Sequence, residues 1–152
     1  MIGVISDTHG LLRPEALDAL RGASHILHAG DVGDISILDR LRTIAPVTAI
    51  RGNIDTGGPN AQLPATEAIE LNGRLIYMLH AIADLDLKPE AAGISVVIYG
   101  HSHKPSTSVH KGVLYLNPGS AGPRRFKLPI TVAHLYLEAT PRAEIITLSA
   151  QD

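Results

Sequence analysis

The stretch "SHILHAGDVGDISILDRLRTIAPVTAIRGN", residues 24–53, predicts a strand, a helix and a second strand in succession. Residues 24–30 and 46–52 are apolar runs of strand length, whereas 34–45 repeats its apolar residues at helical spacing. A strand, a crossover helix and a strand in this order favour parallel pairing of the two strands. The sequence therefore predicts an α/β fold built on a parallel sheet.

The neighbouring segments extend this pattern in both directions. Residues 2–6 predict a strand, and Pro14 begins a helix that Gly22 ends. Asn72-Gly73 lies between two apolar runs, which is a strong signal for a β-hairpin. In chain order, the further predictions are a hairpin over 66–80, a short helix over 84–93, a strand over 94–100, a hairpin over 106–120 that turns at Lys111-Gly112, and a hairpin over 130–149 that turns near Pro141.

Length and composition restrict the class of protein. The chain has 152 residues, and we expect a single domain over 1–152. Its formal net charge of −2 argues against non-specific binding to nucleic acid or an anionic membrane. The N-terminus has no basic leader and no stretch reaches the ~20 apolar residues of a membrane span, so we expect a soluble cytoplasmic protein. The chain has no cysteine, so any metal must be held by nitrogen and oxygen.

Seven polar side chains lie just past the ends of predicted strands, where open α/β sheets place their ligand sites. They are Asp7, His9, Asp31, Asn53, His80, His101 and His103. Taken singly, Asp7, Asp31 and Asn53 are explained as turn or capping residues, and His80 as a partly buried, hydrogen-bonded histidine. Independent turn residues, however, have no reason to follow every strand and to be only Asp, Asn and His. In "GHSH" (100–103) the spacing of two also puts both histidines on one face.

These residue types predict a metal centre. Carboxylate, amide and imidazole ligands suit Mn²⁺, Fe, Zn²⁺, Co²⁺ or Ni²⁺, of which we favour Mn²⁺. Seven ligands exceed the needs of one ion that keeps an open position. Two ions roughly 3.5–4 Å apart, bridged by a carboxylate, account for all seven and form the clamp used in phosphoryl transfer. Asp31 is the natural bridge.

The order of these motifs resembles the calcineurin-like metallophosphoesterase superfamily, and more narrowly its small phosphodiesterases of the YfcE type. The matching motifs are "DTH" at 7–9, "GD" at 30–31, "GNID" at 52–55, His80, "GHSH" at 100–103 and "NPGS" at 117–120. The resemblance implies a four-layer α/β/β/α sandwich of two packed mixed sheets with a dimetal site at their common edge. It implies one ion on Asp7, His9, Asp31 and His103, and a second on Asp31, Asn53, His80 and His101.

For activity, the resemblance implies hydrolysis of phosphoesters, most specifically phosphodiesters, by a hydroxide that bridges the two ions. Asp31, Asn53 and His80 are then the catalytic candidates. Arg124 and Arg125 are weaker candidates for binding substrate oxygens, and the alternative for both is a solvated surface charge. The expected substrate is a small phosphodiester or phosphoester rather than a long nucleic acid, because the chain has little room for a basic channel.

Ile54 departs from the family pattern. Many relatives carry a histidine directly after the "GN", where it can protonate the leaving alkoxide, but here that position is Ile54. Isoleucine cannot transfer a proton, and general-acid help is worth about 10²–10⁴-fold. We therefore expect aryl phosphodiesters to be cleaved much faster than alkyl ones. Asp55, the usual partner of that histidine, is expected to be structural or to orient water.

Two other functions stay open at this point. The first is a non-catalytic scaffold that binds protein partners, because the scaffold subunit of the retromer coat resembles the same subfamily. Scaffolds of that kind tend to have lost ligands, whereas none of the seven is missing here. The second is a nuclease. The exposed face of the hairpin 130–149 could also pair subunits into a homo-oligomer.

Overall fold

A computed structural model describes residues 1–149 of the chain. Residues 150–152 of the predicted domain lie outside the described part. The elements are β1 (Ile2–Ile5), α1 (Pro14–Leu20), β2 (His25–His28), α2 (Ser36–Arg42), β3 (Val47–Ala49), a 3-10 helix (Gly58–Gln62), β4 (Thr66–Leu71), β5 (Arg74–Leu79), a second 3-10 helix (Ile82–Asp84), β6 (Ile94–Ile98), β7 (Ser106–His110), β8 (Val113–Asn117), β9 (Thr131–Tyr136) and β10 (Arg142–Thr147).

The strands form two mixed sheets. The first sheet has the order β10-β9-β1-β2-β3, in which β1, β2 and β3 are parallel and β9 and β10 are antiparallel. The second has the order β4-β5-β6-β8-β7, with a parallel centre of β5, β6 and β8. This architecture confirms the predicted α/β class with two packed mixed sheets. No helix within residues 1–149 is long and apolar enough to cross a membrane.

Buried apolar side chains mark the contacts between layers. Ile5 of β1 packs with Leu20 of α1 and Leu38 of α2, on the helix-covered face of the first sheet. Val4, the neighbour of Ile5, instead packs with Met78 and the other inward residues of the second sheet. The alternation follows from the two-residue period of a strand, which sends successive side chains to opposite faces. The core therefore consists of a helix-to-sheet layer and a sheet-to-sheet layer.

The outer face of the second sheet has a thinner cover than we predicted. The expected short helix over 84–93 is wrong, since the segment contains turns and only its first residue, Asp84, belongs to the second 3-10 helix. The amides of Ala91 and Ala92 both donate to the carbonyl of Lys88, and Gly93 has a φ of 76°. Pro89 lacks an amide proton, and a segment this short cannot repay the cost of helix nucleation.

The hairpin predictions are confirmed. Asn72 and Gly73 have φ of 51° and 74°, and Lys111 and Gly112 have φ of 50° and 76°. Two successive positive φ values are the signature of a tight turn whose twist matches the flanking strands. The turn 137–141 likewise joins β9 to β10, as expected.

Candidate metal centre

The parallel strands of both sheets end at one edge of the sandwich, and all seven predicted residues lie in the loops that follow them. Within each sheet, neighbouring loops are joined directly: the amide of Gly100 donates to the carbonyl of His80, and the amide of Asp7 donates to that of Gly30, both at 2.9 Å. The first sheet supplies Asp7, His9, Asp31 and Asn53, and the second supplies His80, His101 and His103.

Five of these seven residues have left-handed backbone conformations. Their φ angles are 56° for Asp7, 47° for His9, 56° for Asp31, 73° for His101 and 64° for His103. Such angles are uncommon outside glycine and cost on the order of 1–3 kcal/mol each. The surrounding hydrogen bonds hold them, for example from the His9 amide to the Asp31 carbonyl at 2.9 Å. Backbone strain is therefore concentrated at this edge.

Asp7 divides its two carboxylate oxygens between the protein and the site. Its Oδ2 accepts hydrogen bonds from the Ser6 hydroxyl at 2.7 Å and from the His101 amide at 3.1 Å. Its Oδ1 is buried and has no hydrogen-bond partner. That oxygen lies 3.7 Å from Nε2 of His9, 3.7 Å from Nε2 of His80 and 3.5 Å from Nε2 of His103. Asp7 thus directs one oxygen toward three imidazoles.

Asp31 has the same division. Its Oδ1 accepts a hydrogen bond from the Ile54 amide at 3.0 Å. Its Oδ2 lies 3.4 Å from Nε2 of His9 and 3.2 Å from Nε2 of His80. Burial works to raise the pKa of this carboxyl, but the His80 contact, the Ile54 amide and the nearby imidazoles together lower the pKa to about 2. Asp31 is therefore ionised at neutral pH and lies between one histidine from each sheet.

The histidines are oriented by groups outside the site. Nδ1 of His80 lies 2.7 Å from the carbonyl oxygen of Ala29. Because a carbonyl only accepts, that nitrogen carries the proton, and Nε2 is the nitrogen that faces the carboxylates. Burial works to lower the pKa of His80, but the contacts with Asp31 and with the Ala29 carbonyl raise it. Burial lowers the pKa of His103, and the charge of Arg125 adds to this effect, so His103 is neutral at pH 7. Neutral imidazole is the form that binds metal.

Asn53 and His101 lie at the outer side of the same cluster. Both residues are exposed. The His101 ring stands edge-on to the His80 ring, with 5.3 Å between centroids. Asn53 and His80 line a cavity of about 430 Å³ that also contains Tyr77 and Asp84. The structure thus brings both residues to the His80 side of the centre.

Arg124 and Arg125 lie on the opposite side. With Pro123 they line a cavity of about 200 Å³ that also includes His9 and His103. Arg124 donates to the carbonyl oxygen of Leu128 at 3.2 Å, which holds it against its own loop. Both arginines therefore share a cavity with two of the predicted ligands.

Three glycines allow the loops to approach one another this closely. A Cβ on Gly30 would lie 2.7 Å from Nδ1 of His80. A Cβ on Gly100 would lie 2.6 Å from Oδ2 of Asp7, and one on Gly52 would overlap Asp31. These are the glycines of "GD", "GN" and "GH", so any side chain there would push a predicted ligand out of place.

His28, the last residue of β2, supports the loops of the site. The fully buried His28 ring accepts the Gly30 amide at Nδ1 at 3.1 Å, and its Nε2 lies 3.1 Å from the Thr8 hydroxyl. Thr8 in turn donates to the Val32 carbonyl at 2.8 Å. Nδ1 is therefore the acceptor and Nε2 the donor. This chain of bonds joins the loop of Asp7 and His9 to the loop of Asp31. In the sequence, the only indication of this supporting role is that a histidine lies three positions before Asp31.

Asp55 has a structural role. Its buried carboxylate accepts four hydrogen bonds, from the amides of Val32, Gly33 and Gly52 and from the side chain of Asn60, at 2.9 to 3.1 Å. Burial works to raise its pKa, but these donors lower it. Asp55 therefore holds the loops of Asp31 and Asn53 together, which is one of the two roles expected for it.

Residues 117–120 support the loops of the site. The side chain of Asn117 donates to the Gly100 carbonyl at 3.2 Å and to the Ser102 hydroxyl at 3.1 Å. Ser120 donates to the Asp7 carbonyl at 3.0 Å.

The residues present fit divalent cations. Four buried atoms at the centre have no hydrogen-bond partner, namely Asp7 Oδ1, His9 Nε2, His80 Nε2 and His103 Nδ1. Unpaired buried polar atoms are costly, so such a cluster requires another partner. The donor atoms form two groups, and within each group they all lie within 4.8 Å of one another. One group is Asp7, His9 and His103, and the other is Asp7, Asp31 and His80. Two carboxylates with neutral imidazoles form a donor set for a transition-metal cation.

Comparison with known proteins identifies the family. Residues 1–140 match the calcineurin-like phosphoesterase superfamily domain, and the chain belongs to this superfamily. A probable metallophosphoesterase of Methanocaldococcus jannaschii is 35% identical over 161 residues, which are 97% of this chain and 81% of that protein. Membership confirms the predicted family and supports a metal-dependent phosphoester hydrolase.

Solved structures show the same fold in proteins of different roles. A structure reported for a novel archaeal phosphodiesterase has a TM-score of 0.79 at 23% identity, covering 95% of this chain and 99% of that chain. Wild-type Vps29 of Entamoeba histolytica, in complex with zinc, has a TM-score of 0.72 at 23% identity and covers 96% of this chain and 98% of that chain. At these identities the similarity concerns the fold.

Proposed function

We propose that the chain is a phosphodiesterase that depends on two divalent metal ions, with Mn²⁺ favoured over Fe, Zn²⁺, Co²⁺ and Ni²⁺. One observation carries the proposal: each of two buried carboxylates has one oxygen anchored by the protein and the other turned toward imidazoles from both sheets. One ion is assigned to Asp7, His9, Asp31 and His103, and the second to Asp31, Asn53, His80 and His101.

When bound, the two cations supply an activated hydroxide and positive charge for the phosphoryl oxygens. The chain's own contribution is to hold its ligands rigidly and to leave the outer side of the centre open. Asn53 is a neutral ligand, so the site keeps net positive charge for an anionic diester. In the reaction, phosphorus gains a bond to oxygen from water and loses its bond to one alcohol oxygen, which gives a monoester and an alcohol.

The test is hydrolysis of bis(p-nitrophenyl) phosphate by chelator-stripped protein, before and after Mn²⁺ is added, with p-nitrophenyl phosphate in parallel. We expect metal to restore turnover and the diester to be the better substrate. A folded protein with no turnover in any of the five metals would overturn the proposal.

Asn53→Ala and His101→Ala give a direct check of the assignment. Each should lower bound metal and hydrolysis together, because both residues belong to the second ion. Asp18→Asn is the matched control, since Asp18 is exposed on α1 and pairs with the exposed Arg21, away from the centre. Wild-type metal content and rates in both site variants would contradict the assignment.

A scaffold that binds protein partners is the second candidate, and the similarity to Vps29 favours it. Since the E. histolytica Vps29 structure itself contains zinc, metal binding alone does not separate the two functions. Only turnover does. The enzyme is the first choice because every predicted ligand is present.

A further inference from the structure

A second cavity adjoins the proposed centre on its His103 side. It has a volume of about 910 Å³ and is lined by Ser102, Lys104, Arg125, Phe126, Lys127 and Leu128. Ser102 separates the two histidines of the "GHSH" loop, and Arg125 also lines the smaller cavity that contains His9 and His103. A substrate held at the metal centre can therefore extend into this space.

The lining of this cavity is basic, although the chain as a whole is not. Lys104, Arg125 and Lys127 contribute positive charges and no acidic residue lines the cavity, whereas the formal net charge of the chain is −2. The cavity on the other side of the centre is different, because Asp84 and Asp86 both line it. If the substrate carries an anionic group next to the scissile phosphate, the cavity with the lysines favours its binding and the cavity with the aspartates does not.

Phe126, which lines the same cavity, is unusually exposed and has an unusual backbone conformation. It is the only phenylalanine of the chain, its side chain is 88% exposed, and its φ is 54°. Exposure of an aromatic ring forgoes its hydrophobic stabilisation, and a bulky residue at positive φ is a backbone outlier. The loop therefore presents a free aromatic face, and such faces stack well on nucleobases.

We propose that this cavity binds the nucleoside part of a small phosphodiester, with its base stacked on Phe126 and an additional phosphate near Lys104 and Lys127. The inference rests on the proposed function and specifies its substrate class. Stacking of bases on aromatic side chains beside cations is the way in which proteins bind single-stranded nucleic acids, and the same contacts suit one nucleoside. A long nucleic acid is not implied, because the basic residues form one pocket rather than a channel.

The experiment compares two diesters with the same leaving group, thymidine 5′-(p-nitrophenyl phosphate) and methyl p-nitrophenyl phosphate, using Mn²⁺-loaded protein. We expect kcat/KM to favour the nucleoside ester by about tenfold, mainly through a lower KM. Phe126→Ala should reduce this ratio about fivefold, and Phe126→Tyr should keep it. Val109→Ala is the matched control, because Val109 is another exposed apolar residue, at 68% exposure on β7.

The phosphate part is tested with the same nucleoside ester bearing a 3′-phosphate. Lys104→Gln combined with Lys127→Gln should remove any gain in kcat/KM that the extra phosphate gives. Equal kcat/KM for the nucleoside and methyl esters, unchanged in Phe126→Ala, would overturn the inference while leaving the phosphodiesterase intact. Failure to hydrolyse either ester would instead overturn the proposed function.

Discussion

At the scale of single residues, Ile54 supports the centre through its backbone and not through its side chain. Its side chain is 45% exposed, and its amide donates to Asp31. The backbone of this position therefore orients a ligand, while the side chain has no group that can transfer a proton. The side chain can be tested separately from the backbone, since a substitution changes the side chain and keeps the amide.

We predict that the rate of hydrolysis depends strongly on the pKa of the leaving group. Alkyl diesters should be poor substrates, and Ile54→His should raise their hydrolysis by up to about 100-fold while changing aryl diesters little. Ile54→Gln is the control, because it is polar but transfers no proton. A flat dependence on leaving-group pKa in the wild-type protein would contradict this prediction.

His28 gives a prediction for acid stability. Burial lowers the pKa of His28 from 6.5 to about 4, an effect that the charges of Asp7 and Asp55 only partly offset. Because the folded pKa is below the unfolded value, the unfolded chain takes up the proton first as the pH falls. The free energy of unfolding should drop between pH 6.5 and pH 4, by about 3 kcal/mol from this group.

Urea unfolding of chelator-stripped protein between pH 4 and pH 7 measures this effect. His28→Asn should show a smaller loss of stability across that window than the wild-type protein. His110→Asn, at an exposed position on β7, should behave as the wild-type protein does. Parallel pH curves for the wild-type protein and His28→Asn would show that another group is responsible.

At the scale of elements, the loops after β2 and β3 depend on contact between backbones. Asp55 bonds to three amides in these loops, and Gly52 lies against Asp31 with no room for a Cβ. The strands end close together because they are parallel neighbours. The carboxylate of Asp55 can then bind both loops, and the missing side chain of Gly52 lets them pack together.

We predict that Gly52→Ala lowers both stability and metal binding. The added methyl group would overlap Asp31, so the loop must shift, at a cost of about 1–3 kcal/mol. Gly57→Ala is the matched control, because it lies in the same loop and its Cβ would have nothing within 4 Å. Thermal unfolding and metal content measure the two effects. Equal values for the two variants would show that the close approach does not matter.

At the scale of the whole molecule, the proposed centre joins the two sheets. Asp31 follows a strand of the first sheet and His80 follows a strand of the second, and their side chains meet at 3.2 Å. A metal that binds both therefore binds only the packed sandwich. Binding to the folded state alone raises stability by mass action.

We predict that metal raises the melting temperature. At 100 times Kd one site adds about 2.7 kcal/mol, which corresponds to roughly 5–10 °C for a chain of this size. Asp31→Asn should lose most of this shift, and Asp39→Asn, exposed on α2, should keep it. Thermal unfolding with and without Mn²⁺ measures the shift, and an equal shift in both variants would argue against Asp31 as a shared ligand.

Much of the site could be predicted because its residues follow elements that are recognised from local sequence patterns. Asp7, Asp31 and His80 each follow a strand that is evident from its apolar run, so their common edge follows from the topology. The prediction of a helix over 84–93 was wrong because the cost of nucleation and the effect of Pro89 outweighed a weak local helix propensity. The left-handed φ of the ligands was not predictable, since it arises from bonds between loops.

The sequence by itself determined the strand pattern, the α/β class and the identity of the residues at the strand ends, because each depends on residue spacing along the chain. Only the tertiary structure decided which oxygen of Asp7 and of Asp31 faces the centre, why His28 is buried, and that Phe126 is exposed beside Lys104 and Lys127. These features depend on contacts between segments distant in sequence. Such contacts exist only once the two sheets have packed.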